Sequence, residues 1–196
     1  MSEKKFNPMN TSLAGAQCDM RQAYYGGAPG MLTSALVWAV AAIVCFRVSP
    51  ERAIWTLFVG GMFIHPVAVV LNKLMGRSGQ HLSGNPLGTL ALATTFWMIL
   101  AFPLAYAASL VRIEWFFPAM LFIIGGRYLT FSTIYGTRIY WACGAALALA
   151  GYFLAQNLVA PGFAAAAGAA IEAVFAIVIF QASRRESDTT VLAQSA

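Results

Sequence analysis

Six long apolar runs restrict the fold of this chain more than any other feature. About 20 helical residues are needed to cross roughly 30 Å of hydrocarbon, and each run is close to that length. The runs cover residues 30–48, 53–74, 86–110, 115–135, 139–156 and 161–183. They are continuously apolar, whereas strands of a membrane barrel alternate in segments of about ten residues. The sequence therefore predicts an all-α fold, a polytopic integral membrane bundle of six transmembrane helices.

The composition supports a membrane protein and disfavours a soluble enzyme. Of 196 residues, 60% are hydrophobic and 10% are charged, against about 25% charged in ordinary soluble domains. A net charge of +5 on so apolar a chain favours lipid headgroups over nucleic acid. The expected partners are membrane lipids and a small solute or ion, with no nucleic acid, and oligomer formation is left open. Three distant cysteines predict no metal site, and no cofactor is expected.

The chain divides into three predicted segments. Residues 1–29 form a cytoplasmic N-terminal segment, in which residues 13–25 make a short interfacial helix followed by a Gly-rich hinge at 26–30. Residues 30–183 form the six-helix transmembrane domain. Residues 184–196 have no apolar period and are predicted to be a disordered cytoplasmic tail.

Lysines and arginines outside the spans predict the orientation. The side that carries both termini holds Lys4, Lys5, Arg21, Lys73, Arg77, Arg138, Arg184 and Arg185. The opposite loops hold Arg47, Arg52 and Arg112. Because cytoplasmic loops carry the excess of basic residues, both termini are predicted to be cytoplasmic.

Ionisable residues inside the spans are few and lie at one depth. His65, Arg127 and Glu172 belong to the second, fourth and sixth runs, and each lies roughly 16 to 18 Å along its helix from the outer boundary. A charge at the bilayer centre costs on the order of 2.5 to 3.5 kcal/mol, so such residues normally face the bundle interior. We expect Arg127 and Glu172 to pair, directly or through water, with His65 near enough to join them.

This polar layer has two interpretations. In the first, His65, Arg127 and Glu172 form a substrate- or ion-binding site, with Tyr128 and Thr130 on the most polar part of any span as further lining residues. In the second, the charged pair only clamps helices together, because buried pairs can serve register alone. The sequence leaves both open.

Two prolines interrupt spans near their middles. Pro66 cannot donate to the carbonyl group of Met62, and Pro103 cannot donate to that of Ile99. Freed carbonyl groups inside a bundle can bind ions, water or a side chain. We therefore expect kinks there, with a gating or a structural role.

Asp19 and Arg21 lie on the predicted interfacial helix, at the cytoplasmic mouth of the bundle. They could gate an entrance there. Solvation is the default expectation for exposed charges.

Small residues at a spacing of four predict a close helix contact. Ala164, Gly168 and Glu172 share one face of the sixth span, and small residues also recur on the fifth. Because small side chains let helix backbones approach closely, the last two spans are expected to pack tightly as a hairpin, with Glu172 in protein rather than in lipid.

A string of motifs resembles a family of small bacterial six-span membrane proteins that carries a domain-of-unknown-function label. The motifs are DMRQAYYGGAPG, IHP, GRSG, NPLG, EWFFPAM, GGRYLTF and YGTRIYW, within residues 17–152. The resemblance implies a bacterial inner-membrane protein and supplies no reaction, substrate or catalytic residue. Glu172 lies outside this stretch, so the resemblance gives it no role.

Three functions compete at this point. A channel or transporter for a small solute or ion would use the midplane polar layer as its site. A membrane scaffold or accessory subunit would need the layer only for packing. An intramembrane lipid-modifying enzyme would need catalytic groups, but the sequence contains no HExxH, no nucleophile motif and no Gly-rich phosphate loop. We assign no catalytic residue, and transport is favoured narrowly.

Overall fold

The computed structural model describes residues 12–195, with side chains described for residues 12–185. Residues 1–11, which include Lys4 and Lys5 of the charge count, lie outside the described residues, as does Ala196. The start of the predicted N-terminal segment and the last residue of the predicted tail therefore fall outside the description.

The described chain is built from helices, and six of them are long and apolar enough to span a membrane. This confirms the predicted fold class, including the N-terminal helix. The helices are α1 Leu13–Tyr24, α2 Ala28–Arg47, α3 Pro50–Leu74, α4 Pro86–Val111, α5 Phe116–Tyr135, α6 Ile139–Gln156 and α7 Pro161–Ser195. Short 3₁₀ turns cover Tyr25–Gly27 and Ile113–Trp115.

Capping residues explain why helices begin where they do. The Ser49 hydroxyl accepts a hydrogen bond from the backbone N–H of Arg52 at 3.3 Å, immediately before Pro50 opens α3. Asn85 accepts from the N–H of Leu87 at 3.0 Å before Pro86 opens α4. A side-chain acceptor at the N-cap satisfies a free N–H group, and proline suits the first helical position because it has none.

The last helix is longer than the sequence predicts. The sequence places the end of the final span at residue 183, followed by a disordered tail, but α7 continues to Ser195. Residues 184–195 contain no proline or glycine that would interrupt the backbone hydrogen bonds of the helix. The polar composition therefore ends the apolar run without ending the helix, and the predicted disordered tail is wrong up to Ser195.

A left-handed turn places α1 across one end of the bundle. Tyr25, Gly26 and Gly27 have φ values of 50°, 61° and 92°, and α1 contacts α3, α4 and α5. We call this end, which also holds the loop between α3 and α4, the inner end, and the opposite end the outer end. A Cβ atom on Gly27 would overlap the Tyr140 hydroxyl oxygen, so the turn requires glycine for space as well as for φ.

Two groups of helices make up the bundle. In one half α2 packs against α3 and α7, and in the other half α5 packs against α4 and α6. The halves meet where α7 contacts α5 and α6. Trp38 of α2 fills this junction, with its ring centroid 6.0 Å from that of Phe117 and its ring against Gly168.

The small residues of α6 and α7 pack against different helices from those predicted. Gly144 of α6 faces α5, where an added Cβ would lie 2.7 Å from the carbonyl oxygen of Gly125. Gly168 of α7 accommodates Trp38 of α2, and α7 packs mainly against α2. The predicted tight hairpin of the last two spans is therefore wrong, because small residues permit close approach without specifying which helix approaches. Glu172 lies in protein, as expected, with no exposed surface.

Candidate functional site

Glu172 of α7 is the most enclosed acidic or basic residue of the described spans, with 0% of its surface exposed. Its Oε1 atom accepts a hydrogen bond of 3.0 Å from the Tyr128 hydroxyl of α5. Ser34 of α2 lies beside the same carboxyl group, whereas Oε2 has no hydrogen-bond partner among the described residues. The Glu172 carboxyl group therefore joins the two halves of the bundle through its Oε1 atom.

Aromatic rings connect Tyr128 to the inner end. Its ring centroid lies 5.9 Å from that of Tyr140, which in turn lies 5.5 Å from that of Tyr135. The Tyr140 hydroxyl donates a 2.6 Å hydrogen bond to the carbonyl oxygen of Gly26 in the turn after α1. Packed rings thus link the carboxyl group of Glu172 to the turn that positions α1.

Arg127 contacts a different helix from Tyr128. Its Nη2 donates to Thr95 Oγ1 of α4 at 3.0 Å, and its guanidinium carbon lies 5.0 Å from the Phe131 ring centroid. A longer contact of 3.7 Å joins Nη1 to the sulfur of Met98. The Nε atom is buried and has no described hydrogen-bond partner. Arg127 is therefore a partly buried cation placed against α4.

The expected direct ion pair between Arg127 and Glu172 does not form among the described side chains. Arg127 donates to Thr95 of α4, and Glu172 accepts from Tyr128. Consecutive residues on a helix point about 100° apart, since 3.6 residues complete a turn. Because Tyr128 faces α7, its neighbour Arg127 faces α4. Equal depth along the helices was predicted from the spacing, but the direction around the helix axis separates the two charges.

His65 lies on α3 with an exposed side chain. It forms no hydrogen bond with any described residue and does not join Glu172, so the expected three-residue network is wrong. The spacing along α3 sets the depth of His65, and the packing of α3 on α2 leaves this side of the helix uncovered.

Thr130 uses its hydroxyl group within its own helix. The hydroxyl donates to the carbonyl oxygen of Arg127 at 2.7 Å, and Ser132 donates to that of Leu129 at 2.6 Å. Hydroxyl groups in membrane helices commonly bond backward in this way. The polar side chains of α5 are therefore of two kinds. The hydroxyl groups of Thr130 and Ser132 bond within α5, whereas the longer side chains of Arg127 and Tyr128 bond to other helices.

Asp19 and Arg21 fasten α1 to the rest of the protein. Asp19 accepts hydrogen bonds from the Asn85 side chain at 2.7 Å and from the backbone N–H of Leu82 at 3.0 Å. Arg21 donates to the carbonyl oxygen of Tyr135 at 2.7 Å. The default expectation of simple solvation is wrong for both, because α1 folds back onto the loop before α4 and the end of α5.

Sequence reasoning missed His81 and Tyr24, which meet in the same region. The Tyr24 hydroxyl lies 2.9 Å from His81 Nδ1, and an added Cβ on Gly88 would overlap His81 Nε2. The GRSG and NPLG motifs flank this loop and could have drawn attention to it. Pro66 and Pro103 lie within α3 and α4, which continue through both positions.

A separate open groove of about 460 Å³ lies at the outer end. Arg112, Trp115, Phe122 and Gln156 contribute to its lining. It is remote from the midplane residues, so it is not the cavity that the polar layer was predicted to line. Within the described residues, no group of three His, Cys, Asp or Glu side chains could hold a metal ion.

Comparisons with known proteins place the chain in a family. A model of a family of unknown function, DUF7010, matches residues 13–182, so the chain belongs to that family. The match covers most of the chain and includes Glu172, which lay outside the stretch of motifs. Searches of curated proteins and of solved structures give no match. The chain is a multi-pass membrane protein, and neither the family nor its description assigns it an activity.

Proposed function

We propose that this member of the family is a membrane transporter whose two halves move relative to each other around Glu172. The observation that carries the proposal is the position of this carboxyl group, which is completely buried at the junction of the halves, with one hydrogen bond across it and one oxygen unpartnered. Ionisable residues at membrane depth are costly and usually mark ion or substrate pathways.

Two separate polar positions suit a coupled mechanism. Glu172 offers an oxygen that can take up a proton or a cation when the halves part, while Arg127 offers a cation on the side of α4. Tyr128 lies next to Arg127 in the chain and bonds to Glu172, so α5 carries the connection between them. In this proposal Glu172 is the coupling site and Arg127 the substrate site.

The proposed orientation follows from the charges. The excess of Lys and Arg on the side that carries the termini supports an inner membrane protein with both termini in the cytoplasm. The inner end, where α1 lies, would then face the cytoplasm.

A scaffold is the second candidate, and the complete burial of Glu172 favours it. A carboxyl group held by Tyr128 in a packed junction can fix the register of helices without any movement. The two functions differ in one consequence. A transporter needs the free Glu172 oxygen, whereas a scaffold needs only the shape and the hydrogen bond.

Flux measurements separate these candidates. Purified protein in liposomes that contain a pH-sensitive dye should carry protons under an imposed potential, and Glu172→Gln should lower that rate about tenfold or more, because the amide cannot take up the proton. Glu51→Gln, at an exposed position near the start of α3, is the matched control and should keep the wild-type rate. Equal rates for wild type and Glu172→Gln, or for protein and empty liposomes, would reject the transporter.

A further inference from the structure

Helices α3 and α4 touch at the outer end through aromatic side chains. The ring centroids of Phe58 and Phe102 lie 4.4 Å apart, and those of Trp55 and Tyr106 lie 6.0 Å apart. Seven residues make about two helical turns and return to the same helix face. Moving two turns toward the inner end from the phenylalanine contact leads to His65 on α3 and to Thr95 on α4.

The two helices separate below that contact. Met62 and Ile99, one turn inward on the facing sides, are 60% and 50% exposed, and His65 is also exposed. Over the described residues α3 packs closely on α2 and α4 on α5 rather than on each other. The facing sides of α3 and α4 therefore border a gap, which we call the α3–α4 cleft, open toward the surrounding bilayer.

Each wall of the α3–α4 cleft carries a backbone acceptor without its usual helical donor. Pro66 lacks the N–H group that would bond to the carbonyl of Met62, and Pro103 lacks the one for Ile99. Met62 and Ile99 are also the exposed residues that face each other. The cleft is thus more polar at this depth than its apolar side chains indicate.

Arg127 supplies a cation beside the α4 wall. Its guanidinium group bonds to Thr95 Oγ1, the residue opposite His65, and its Nε atom is buried without a described partner. No ion pair neutralises it among the described side chains. A cation within a membrane is normally compensated by an anion or by polar groups, and a negatively charged ligand in the cleft would supply that compensation.

The inner end of the α3–α4 cleft is covered by α1 and the loop before α4. α1 contacts both α3 and α4, and hydrogen bonds from Asn85 to Asp19 and between Tyr24 and His81 hold it there. His65 and Thr95 each lie nine residues from the inner ends of their helices, roughly 13 Å deep. A ligand that reaches them most directly comes sideways from the bilayer.

We infer that the α3–α4 cleft binds a membrane lipid whose head is a phosphate monoester, with Arg127 and His65 as its ligands. The Thr95 hydroxyl donates to the carbonyl oxygen of Ala91 at 3.0 Å and accepts from Arg127, so Thr95 positions the guanidinium group and does not contact the phosphate. A phosphate monoester carries about −1.5 to −2 charges and three acceptor oxygens, which matches donors on both walls. A carboxylate head group would need only the Arg127 guanidinium group as a donor, so it would leave the donor on the α3 wall unused. The exposed apolar residues toward the outer end, such as Met62 and Ile99, would lie along the lipid chains.

The bound lipid would be the substrate that the transporter moves, and this part of the inference rests on the proposed function. Binding itself does not require movement. Binding without flux would therefore reject the transporter and retain the lipid site, whereas proton flux without lipid binding would reject the lipid site alone.

Lipid binding to the full-length protein in detergent, measured by native mass spectrometry or by titration, tests this site. Dioleoyl phosphatidic acid should bind about tenfold or more tightly than dioleoyl phosphatidylcholine, since a charge-assisted hydrogen bond is worth that factor. Arg127→Met should remove the preference, and Thr95→Val and His65→Ala should weaken it severalfold. Arg112→Met, an exposed arginine at the outer end, is the matched control and should change nothing.

His65→Ala keeps the test decisive if Arg127→Met fails to fold. His65 is exposed and makes no described hydrogen bond, so its replacement leaves the packing unchanged. Equal binding of the two lipids, or an unchanged preference in His65→Ala, would overturn the inference. Oleate that binds as tightly as phosphatidic acid would replace the phosphate head with a carboxylate, and inorganic phosphate that competes equally would replace the lipid with a soluble anion, so either result also overturns it.

Discussion

At the scale of single residues, the Glu172 carboxyl group depends on one donor from the other half of the bundle. The Tyr128 hydroxyl bonds to Oε1 at 3.0 Å, and both side chains are buried. In a packed interior, an acceptor that loses its donor finds no replacement among the neighbouring side chains. Tyr128 therefore contributes to stability and keeps the carboxyl group in place.

The first prediction concerns Tyr128→Phe, which removes only the hydroxyl group. Glu172 would lose its hydrogen bond to the other half of the bundle, and we expect the free energy of unfolding to fall by about 1 kcal/mol. Thermal unfolding in detergent measures the change. Tyr152→Phe, at a position 50% exposed, is the control, and equal melting temperatures for both variants would contradict a structural role for the bond.

Arg127 and Tyr128 also show which structural properties can be predicted from a sequence and which cannot. Their depth follows from counting residues along a helix, because every residue adds 1.5 Å. Their partners depend on how α5 is rotated against α4 and α7, and that rotation is set by packing, as at Gly125 against the backbone of Gly144. The polar layer was predictable for this reason, whereas the separation of its two charges was not.

At the scale of helices, the turn between α1 and α2 depends on a glycine. Gly27 has φ 92°, and the Tyr140 hydroxyl and the Tyr135 ring occupy the space that a side chain would need. Tyr140 meanwhile bonds to the carbonyl oxygen of Gly26. The turn and the aromatic cluster of α5 and α6 therefore hold each other in place.

The second prediction compares two Gly→Ala variants. Gly27→Ala should destabilise the protein by more than about 1 kcal/mol, because alanine is unfavourable at positive φ and its Cβ would meet Tyr140. Gly61→Ala lies within α3 with no atom close to the added Cβ, so it should be neutral or should stabilise by up to about 1 kcal/mol. Melting temperatures that fall equally in both variants would contradict this account of the turn.

Helix boundaries were largely predictable because their signals are local. Apolar runs, the caps at Ser49 and Asn85 and the prolines that follow them all lie within a few residues of the ends they determine. The end of α7 was missed because a polar sequence without a helix breaker can continue a helix. The packing of α7 against α2 was missed because Gly168 accommodates a side chain, Trp38, that is distant in the sequence.

At the scale of the whole molecule, the bundle consists of two halves that meet at α7. The junction holds Trp38, Phe117 and Glu172, while α3 and α4 diverge at the side that faces the bilayer. α1 closes the inner end through Asp19 and Asn85. We assign movement to the junction, with the Glu172 carboxyl group becoming accessible when the halves part.

Labelling with dicyclohexylcarbodiimide, an apolar reagent that modifies carboxyl groups, tests this claim most directly. The folded protein in liposomes would be treated, and the modified residue would be located by peptide mass spectrometry, with Glu172→Gln as the control for the site. If the halves part, Glu172 is modified in the folded protein and proton flux stops as the modification proceeds. Modification of Glu172 only after the protein has been unfolded would contradict the account and would identify the junction as a static structural contact.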